Sequence, residues 1–244
     1  MEFAEHLDQL RFNAVQLARS ARLAGLDAPV PSCPGWNVRR LVGHVTKVHH
    51  RATSILAGGD PQQFEFTVPD DDQLFAVFDA GVAGLIRRLA APPGATKVWT
   101  FLPSDSPIHF WARRQAHETA IHRVDAELAA DFGVAEFDPL FAADGLDELL
   151  LEFAPDRPAT WDVLTEPRTV TVEPTDVNRG WTLTLGAGRA LAVPETRDGS
   201  DLTVFGTASD LYRWAWNRAS DAEVMLRGDL RLADLWRERF NVRS

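Results

Sequence analysis

The segment from Trp111 to Glu127 reads WARRQAHETAIHRVDAE and predicts a long helix. At about 100° per residue, His122 lies about 40° from Glu118, and both point towards the apolar side of that helix. Burying an unpaired carboxylate costs several kcal/mol, so a charge on a core-facing side needs a partner. A carboxylate and an imidazole one turn apart therefore indicate a shared cation. The alternative is an ordinary i,i+4 pair at the edge of the core.

Two more polar residues, Arg114 and Asp125, fall at about −40° and −20° from Glu118 on the same helix. The helix is thus predicted to carry a polar line within its inward half. The far side holds the residues that we expect to be solvated, Arg113, Arg123 and Glu127.

The run from His117 to His122 is similar to the zinc-protease motif H-E-x-x-H but holds one residue too many. That motif needs its histidines at i and i+4, whereas these lie at i and i+5, about 140° apart. The spacing excludes a zinc protease of this class. We therefore expect His117 to lie on the surface or behind the ligands, and the chelating pair to be Glu118 with His122.

The composition favours small molecules as the partners of this protein. The chain has 244 residues, a formal charge of −10 and 45% apolar residues, which suits one large domain or two small ones. Nucleic acids and anionic membranes need clustered Lys and Arg, so neither is an expected partner. No run has the length and apolarity of a bilayer span, and the N-terminus lacks a signal-peptide pattern. We expect a cytoplasmic protein.

Cys33 is the single cysteine of the sequence, which excludes an intrachain disulfide and a Cys-rich zinc cluster. It is either a reactive thiol or a small, partly buried apolar residue. No basic residue lies next to it in sequence, so we favour the second interpretation. Thiol chemistry would then need a thiol from outside the chain.

The first half of the chain predicts four helices. They cover about residues 2–25, residues 38–56 after the N-cap Asn37, the segment between the acidic cluster 70–72 and Pro92, and about 107–132 after Ser106. Four amphipathic helices of this length most simply form a bundle, whose interior commonly holds a metal.

The second half predicts strands followed by two helices. The strands are predicted at 169–172, 181–185, 190–193 and 202–205, with a hairpin through Gly186–Gly188, and the helices at about 207–219 and 230–240. The fold class is therefore α+β, with a helical domain over residues 1–140 and a small antiparallel or mixed sheet in a domain over 141–244.

A metal held by Glu118 and His122 alone would be weak, so a facing helix should supply a third ligand. The second helix offers three histidines. By its angle His50 faces solvent, whereas His44 and His49 flank the apolar stripe at similar offsets. Periodicity leaves the choice between these two open.

Residues 30–44, VPSCPGWNVRRLVGH, and 114–123, RQAHETAIHR, resemble the mycothiol-dependent maleylpyruvate isomerase family of actinobacteria. The Pro-Gly-Trp loop before a histidine is the most specific feature. Segments 205–218 and 226–229 extend the resemblance to the family's C-terminal domain, which is similar to sterol-carrier-like folds. The resemblance implies a DinB-like four-helix bundle that holds a divalent metal, usually zinc. The implied ligands are His44, Glu118 and His122.

Two imidazoles and one carboxylate leave an open position on a tetrahedral metal, which is the pattern of a catalytic site. The resemblance implies mycothiol as the cofactor, and a metal-bound thiol is deprotonated near neutral pH. In an isomerase, the thiolate would add to the cis double bond of maleylpyruvate, permit rotation and leave. In an S-transferase it would stay attached to an electrophile.

An anionic substrate needs cationic partners, and Arg114 and Arg218 are the candidate catalytic residues. Each arginine could instead have a purely structural role. Arg114 could form an ion pair with Glu118 or Asp125, and Arg218 could be a cation that stabilises the C-terminus of a helix. Asp125 is a candidate to orient the second nitrogen of His122. We expect Trp214 and Trp216 to lie in the core.

Two other functions fit the same residues. One is a non-catalytic protein whose C-terminal domain binds an apolar ligand while the bundle serves as a scaffold. The other is a hydrolase that uses metal-bound water. The sequence leaves the substrate, the metal's identity and the oligomeric state open.

Overall fold

A computed structural model describes residues 1–91, 98–186 and 189–240 of the chain. The chain divides into two compact units, Met1–Ala135 and Glu136–Ser244. The first is helical and the second is α+β, so the predicted fold class is confirmed. No helix in the described ranges is both long enough and apolar enough to cross a membrane.

The described part of the first unit contains the four predicted helices. They are α1 (Phe3–Ala24), α2 (Val38–Leu56), α3 (Asp71–Ala90) and α4 (Pro107–Ala130). Asn37 caps α2 as predicted, since its side chain accepts a hydrogen bond from the backbone N–H of Arg40 at 3.0 Å. The Ser106 side chain, in contrast, makes no capping bond to α4. The core between the helices is apolar and includes Leu17, Leu41, Val45, Phe78 and Ala126.

Helix α4 differs from its prediction because both of its sides are buried. Arg123 and Glu127, expected in solvent, are 1% and 8% exposed. The chain turns back after α4 at Asp131, which adopts a left-handed conformation with φ 55°. This return brings the backbone of Ala135 to both side chains: Arg123 Nη2 donates to its carbonyl at 2.8 Å, and Glu127 Oε2 accepts from its N–H at 3.3 Å.

The second unit contains a mixed sheet. Within the described residues its strands are β1 (Arg168–Pro174), β2 (Trp181–Gly186), β3 (Arg189–Val193), β4 (Leu202–Gly206) and β5 (Met225–Gly228). Their order is β3-β2-β1-β4-β5, and β1 and β4 run parallel while the other neighbours are antiparallel. Residues 187 and 188 of the predicted hairpin lie outside the described residues.

Three helices accompany the sheet in the described residues of this unit: α5 (Pro139–Asp147), α6 (Ala208–Ala215) and α7 (Arg231–Arg239). Helix α5 continues as a π-helical turn over Glu148–Phe153. Helix α5 and strand β5 were not predicted. Trp214 and Trp216 are buried, at 1% and 7% exposed, which confirms their predicted place in the core.

Candidate metal centre

Helices α2 and α4 bring the three predicted ligands together. Oε1 of Glu118 lies 3.2 Å from Nε2 of His44 and 3.3 Å from Nε2 of His122. One ligand atom from each residue lies within 4.8 Å of the other two. Glu118 and His122 are buried, while His44 is half-buried. The arrangement therefore offers one oxygen and two nitrogens to a single point just below the surface.

The second oxygen of Glu118 has a different partner. Nη2 of Arg114 donates to Oε2 of Glu118 at 3.1 Å, and Arg114 is itself 5% exposed. Arg114 thus forms the ion pair that was the structural alternative to substrate binding. This contact fixes the carboxylate so that Oε1 faces the two imidazoles.

Asp125 holds the other side of the His122 ring. Nδ1 of His122 donates to Oδ2 of Asp125 at 2.8 Å, and the carboxylate is fully buried. The Ser32 hydroxyl donates to Oδ1 of the same carboxylate, and the Cys33 thiol lies 3.4 Å from Oδ2. Because Asp125 accepts the Nδ1 proton, the ring is oriented with Nε2 towards Glu118. Cys33 is half-buried, as predicted, but its thiol has a polar contact.

Trp36 covers the two imidazoles. Its ring centre is 5.1 Å from that of His44 and 6.2 Å from that of His122. The planes of the Trp36 and His122 rings are only 16° apart. The loop that carries it closes on itself, because the Val30 N–H donates to the Trp36 carbonyl at 3.0 Å. Gly35 supplies the left-handed turn, with φ 79°. Sequence reasoning treated this loop only as a family signature and missed its contact with the ligands.

The electrostatics of the cluster favour a positive charge between the ligands. Burial acts against the charge on Glu118, but hydrogen bonds from His122 and His44 hold the pKa of its carboxyl well below the usual range. Burial also acts to lower the pKa of His122, yet its bonds to Asp125 and Glu118 raise that pKa to about 9. A proton is therefore retained at the point where a metal cation would bind.

The other two histidines of α2 lie elsewhere. His49 is fully buried, with Nε2 at 2.9 Å from the Thr119 hydroxyl, and burial lowers its pKa to about 3. His50 was expected in solvent but is half-buried, and its ring lies 5.0 Å from that of Phe66. The expectation was wrong because the segment between α2 and α3 folds over that side of the helix.

His117 is also more buried than a surface position would be. It is 0% exposed, and its ring meets that of His6 edge-on at 6.2 Å. Of its two expected positions, the one on the surface is therefore wrong, because His6 of α1 packs against this side of α4. The position behind the ligands stays a prediction.

Arg218 lies just beyond α6 in the second unit. Its backbone N–H donates to the carbonyl of Arg213, and its Nη1 donates to the carbonyl of Trp216, both at 2.8 Å. These contacts satisfy carbonyls at the end of the helix, which was its structural alternative. Its role towards a substrate stays a prediction.

Both units of the chain are similar to domains of one known protein family. Residues 7–127 match a model described as the mycothiol maleylpyruvate isomerase N-terminal domain, and residues 141–235 match the corresponding C-terminal domain. Similar solved structures include the mycothiol-dependent maleylpyruvate isomerase and a histidine-to-alanine mutant of it, with TM-scores of 0.62 and 0.63. Each is 14% identical, with 93% of both chains covered, so these two likenesses show the fold alone. No protein of curated function matches the sequence.

Proposed function

The chain belongs to the mycothiol maleylpyruvate isomerase family, and we propose that it is a divalent-metal-dependent enzyme that uses mycothiol as its thiol cofactor. The proposed reaction is isomerisation of a substrate of the maleylpyruvate type or transfer of the thiol to an electrophile. The observation that carries the proposal is the meeting of one carboxylate oxygen and two imidazole Nε2 atoms between α2 and α4. The proposed ligands are His44, Glu118 and His122.

The donor set fits a divalent first-row metal, and zinc in particular. Two imidazoles and one carboxylate are a common ligand set of catalytic zinc, and they leave a coordination position for a further group. When bound, the metal would lower the pKa of a coordinating thiol so that it is deprotonated near neutral pH.

The surrounding residues have distinct proposed roles. Glu118 would bind through Oε1, because Arg114 occupies Oε2. Asp125 would hold the Nδ1 proton of His122, so that Nε2 could bind the metal when the metal displaces the proton between Nε2 and Glu118. We therefore assign Arg114 to positioning a ligand, and we keep Arg218 as the predicted cation for substrate.

The Trp36 ring would shield the two imidazoles from bulk water on one side, since it packs on both of them. Excluding water strengthens every electrostatic interaction within a site. Isomerisation and S-transfer need the same thiolate, so these residues support both reactions equally.

The test is to follow mycothiol thiol and substrate together, with maleylpyruvate and a panel of other electrophiles. We expect turnover that requires mycothiol, stops with a chelator and returns with added zinc. An isomerase would leave the thiol concentration unchanged, whereas a transferase would consume one thiol for each product. Turnover without mycothiol would instead support a hydrolase, and turnover unaffected by chelation would overturn the proposed metal dependence.

A further inference from the structure

Arg40 is an exposed cation at the edge of the proposed metal site. It lies one turn before His44 on α2, so the two side chains leave the same side of the helix. Its guanidinium carbon is 4.8 Å from the centre of the Trp36 ring, and that ring is 5.1 Å from the ring of His44. This charge and a proposed ligand therefore contact the same aromatic ring.

The neighbouring arginines are already paired. Arg114 is bound to Glu118, and Arg39 forms an ion pair with Asp71 and donates to the Pro69 carbonyl at 3.1 Å. Arg40, by contrast, makes no ion pair with any carboxylate in the described ranges of the chain, and its side-chain contact is the face of Trp36. Its charge is available to a ligand.

The contact with Trp36 also suits Arg40 for this task. The guanidinium carbon lies over the ring, and the N–H groups of a guanidinium match the two oxygens of a carboxylate. A side chain that packs on a ring is partly ordered in advance, so less conformational entropy is lost when an anion binds. An exposed cation also attracts anions locally, although the chain as a whole carries a charge of −10.

We propose that Arg40, supported by the Trp36 ring, binds a carboxylate group of the substrate and so selects small carboxylate-bearing electrophiles. This inference rests on the proposed function, because it takes the cluster of His44, Glu118 and His122 as the reaction site.

The test uses maleate as the probe and isothermal titration calorimetry of the zinc-loaded full chain. We expect Arg40→Gln to weaken maleate binding about tenfold, which corresponds to the loss of one charge-assisted hydrogen-bonded contact. Arg40→Lys should recover part of the affinity, because it keeps the charge but loses the planar fork. The matched control is Arg87→Gln, which removes an exposed charge at the end of α3 and should bind maleate like the wild type.

The zinc content, and the dependence of substrate turnover on mycothiol, are measured on the same preparations. These measurements separate this inference from the proposed function. We expect Arg40→Gln to keep the zinc content of the wild type. Three results would overturn the role of Arg40: equal maleate affinity in Arg40→Gln and wild type, equal weakening by Arg87→Gln, or a wild type that does not bind maleate. If the wild type binds maleate through Arg40 but its substrate turnover requires neither zinc nor mycothiol, the proposed function would be overturned instead.

Discussion

At the scale of single residues, Asp125 connects the proposed metal site to the loop that covers it. Its buried carboxylate accepts hydrogen bonds from His122 on α4 and from Ser32 in the loop that carries Trp36. A carboxylate behind a metal-binding imidazole fixes the ring's tautomer and orientation. The position of the loop and the direction of a ligand thus depend on one side chain.

We predict that Asp125→Asn lowers the affinity for zinc about 10-fold to 100-fold, because an amide holds the His122 Nδ1 proton less strongly than a carboxylate. Competition with a chromophoric chelator measures this affinity. The control is Asp131→Asn, at the exposed end of the same helix, where Asn tolerates the left-handed backbone. Equal affinity in Asp125→Asn and the control would contradict the role of Asp125.

The residues of the site differ in how far the sequence could predict them. Glu118 and His122 follow from helical periodicity, and the resemblance selects His44 over His49. The packing of α2 against α4 gives the physical reason for that choice, since His49 meets Thr119 rather than Glu118. The contacts of Trp36 could not be predicted, because they depend on a loop that folds back onto the start of its own helix.

At the scale of elements, the helices of the first unit were predicted closely because capping residues, prolines and glycines mark their ends in the sequence. Strand β5 was missed because it has four residues that are mostly exposed, so no alternation of buried and exposed positions marks it. Helix α5 was missed for the opposite reason: residues Phe141–Leu146 are all buried, so no polar face marks its period. Arg123 in α4 is buried because the chain after α4 folds back over it. The periodicity of one helix carries no information about such a contact.

Asp201 stabilises the parallel pair of β1 and β4. Its carboxylate accepts from the backbone N–H and the hydroxyl of Thr169, at 2.7 and 2.9 Å, and from Arg168 at 3.2 Å. The backbone hydrogen bond from Thr169 is the largest cause that lowers the pKa of Asp201 below its ordinary 3.8. Folding therefore favours the charged form, and this contribution is present above pH 3.8 and is lost as the pH falls through the lowered pKa.

We predict that Asp201→Ala lowers the free energy of unfolding by about 0.5–1.5 kcal/mol at neutral pH, the net contribution of a hydrogen bond at a site where water can replace the lost acceptor. The difference from the wild type should shrink as the pH falls below 3.8, because the wild-type carboxylate is then progressively protonated. Denaturant unfolding at a series of pH values measures it. Asp198→Ala, at an exposed position in the same connection, is the control. A difference that does not change with pH would contradict this account.

At the scale of the whole molecule, the proposed ligands belong to two helices of the first unit that are far apart in sequence. A ligand that binds the folded state alone stabilises it by about 2.7 kcal/mol when its concentration is 100 times its Kd. A metal held between α2 and α4 should therefore stabilise the native chain as well as supply chemistry.

We predict that zinc at that concentration raises Tm by on the order of 5–10 °C above that of the chelated protein. Differential scanning calorimetry measures the shift. Glu118→Gln removes a proposed ligand and should show little or no shift with zinc. An equal shift in wild type and variant would place the stabilising metal elsewhere in the chain.

The most direct measurement is the zinc content of the reconstituted, desalted full chain by mass spectrometry. The central claim predicts about one zinc per chain in the wild type, and little in His44→Gln, Glu118→Gln and His122→Gln. His49→Gln is the matched control, since it changes a histidine of the same helix that contacts Thr119 instead, and it should keep the zinc. Full zinc content in His44→Gln or Glu118→Gln, or none in the wild type, would contradict the claim.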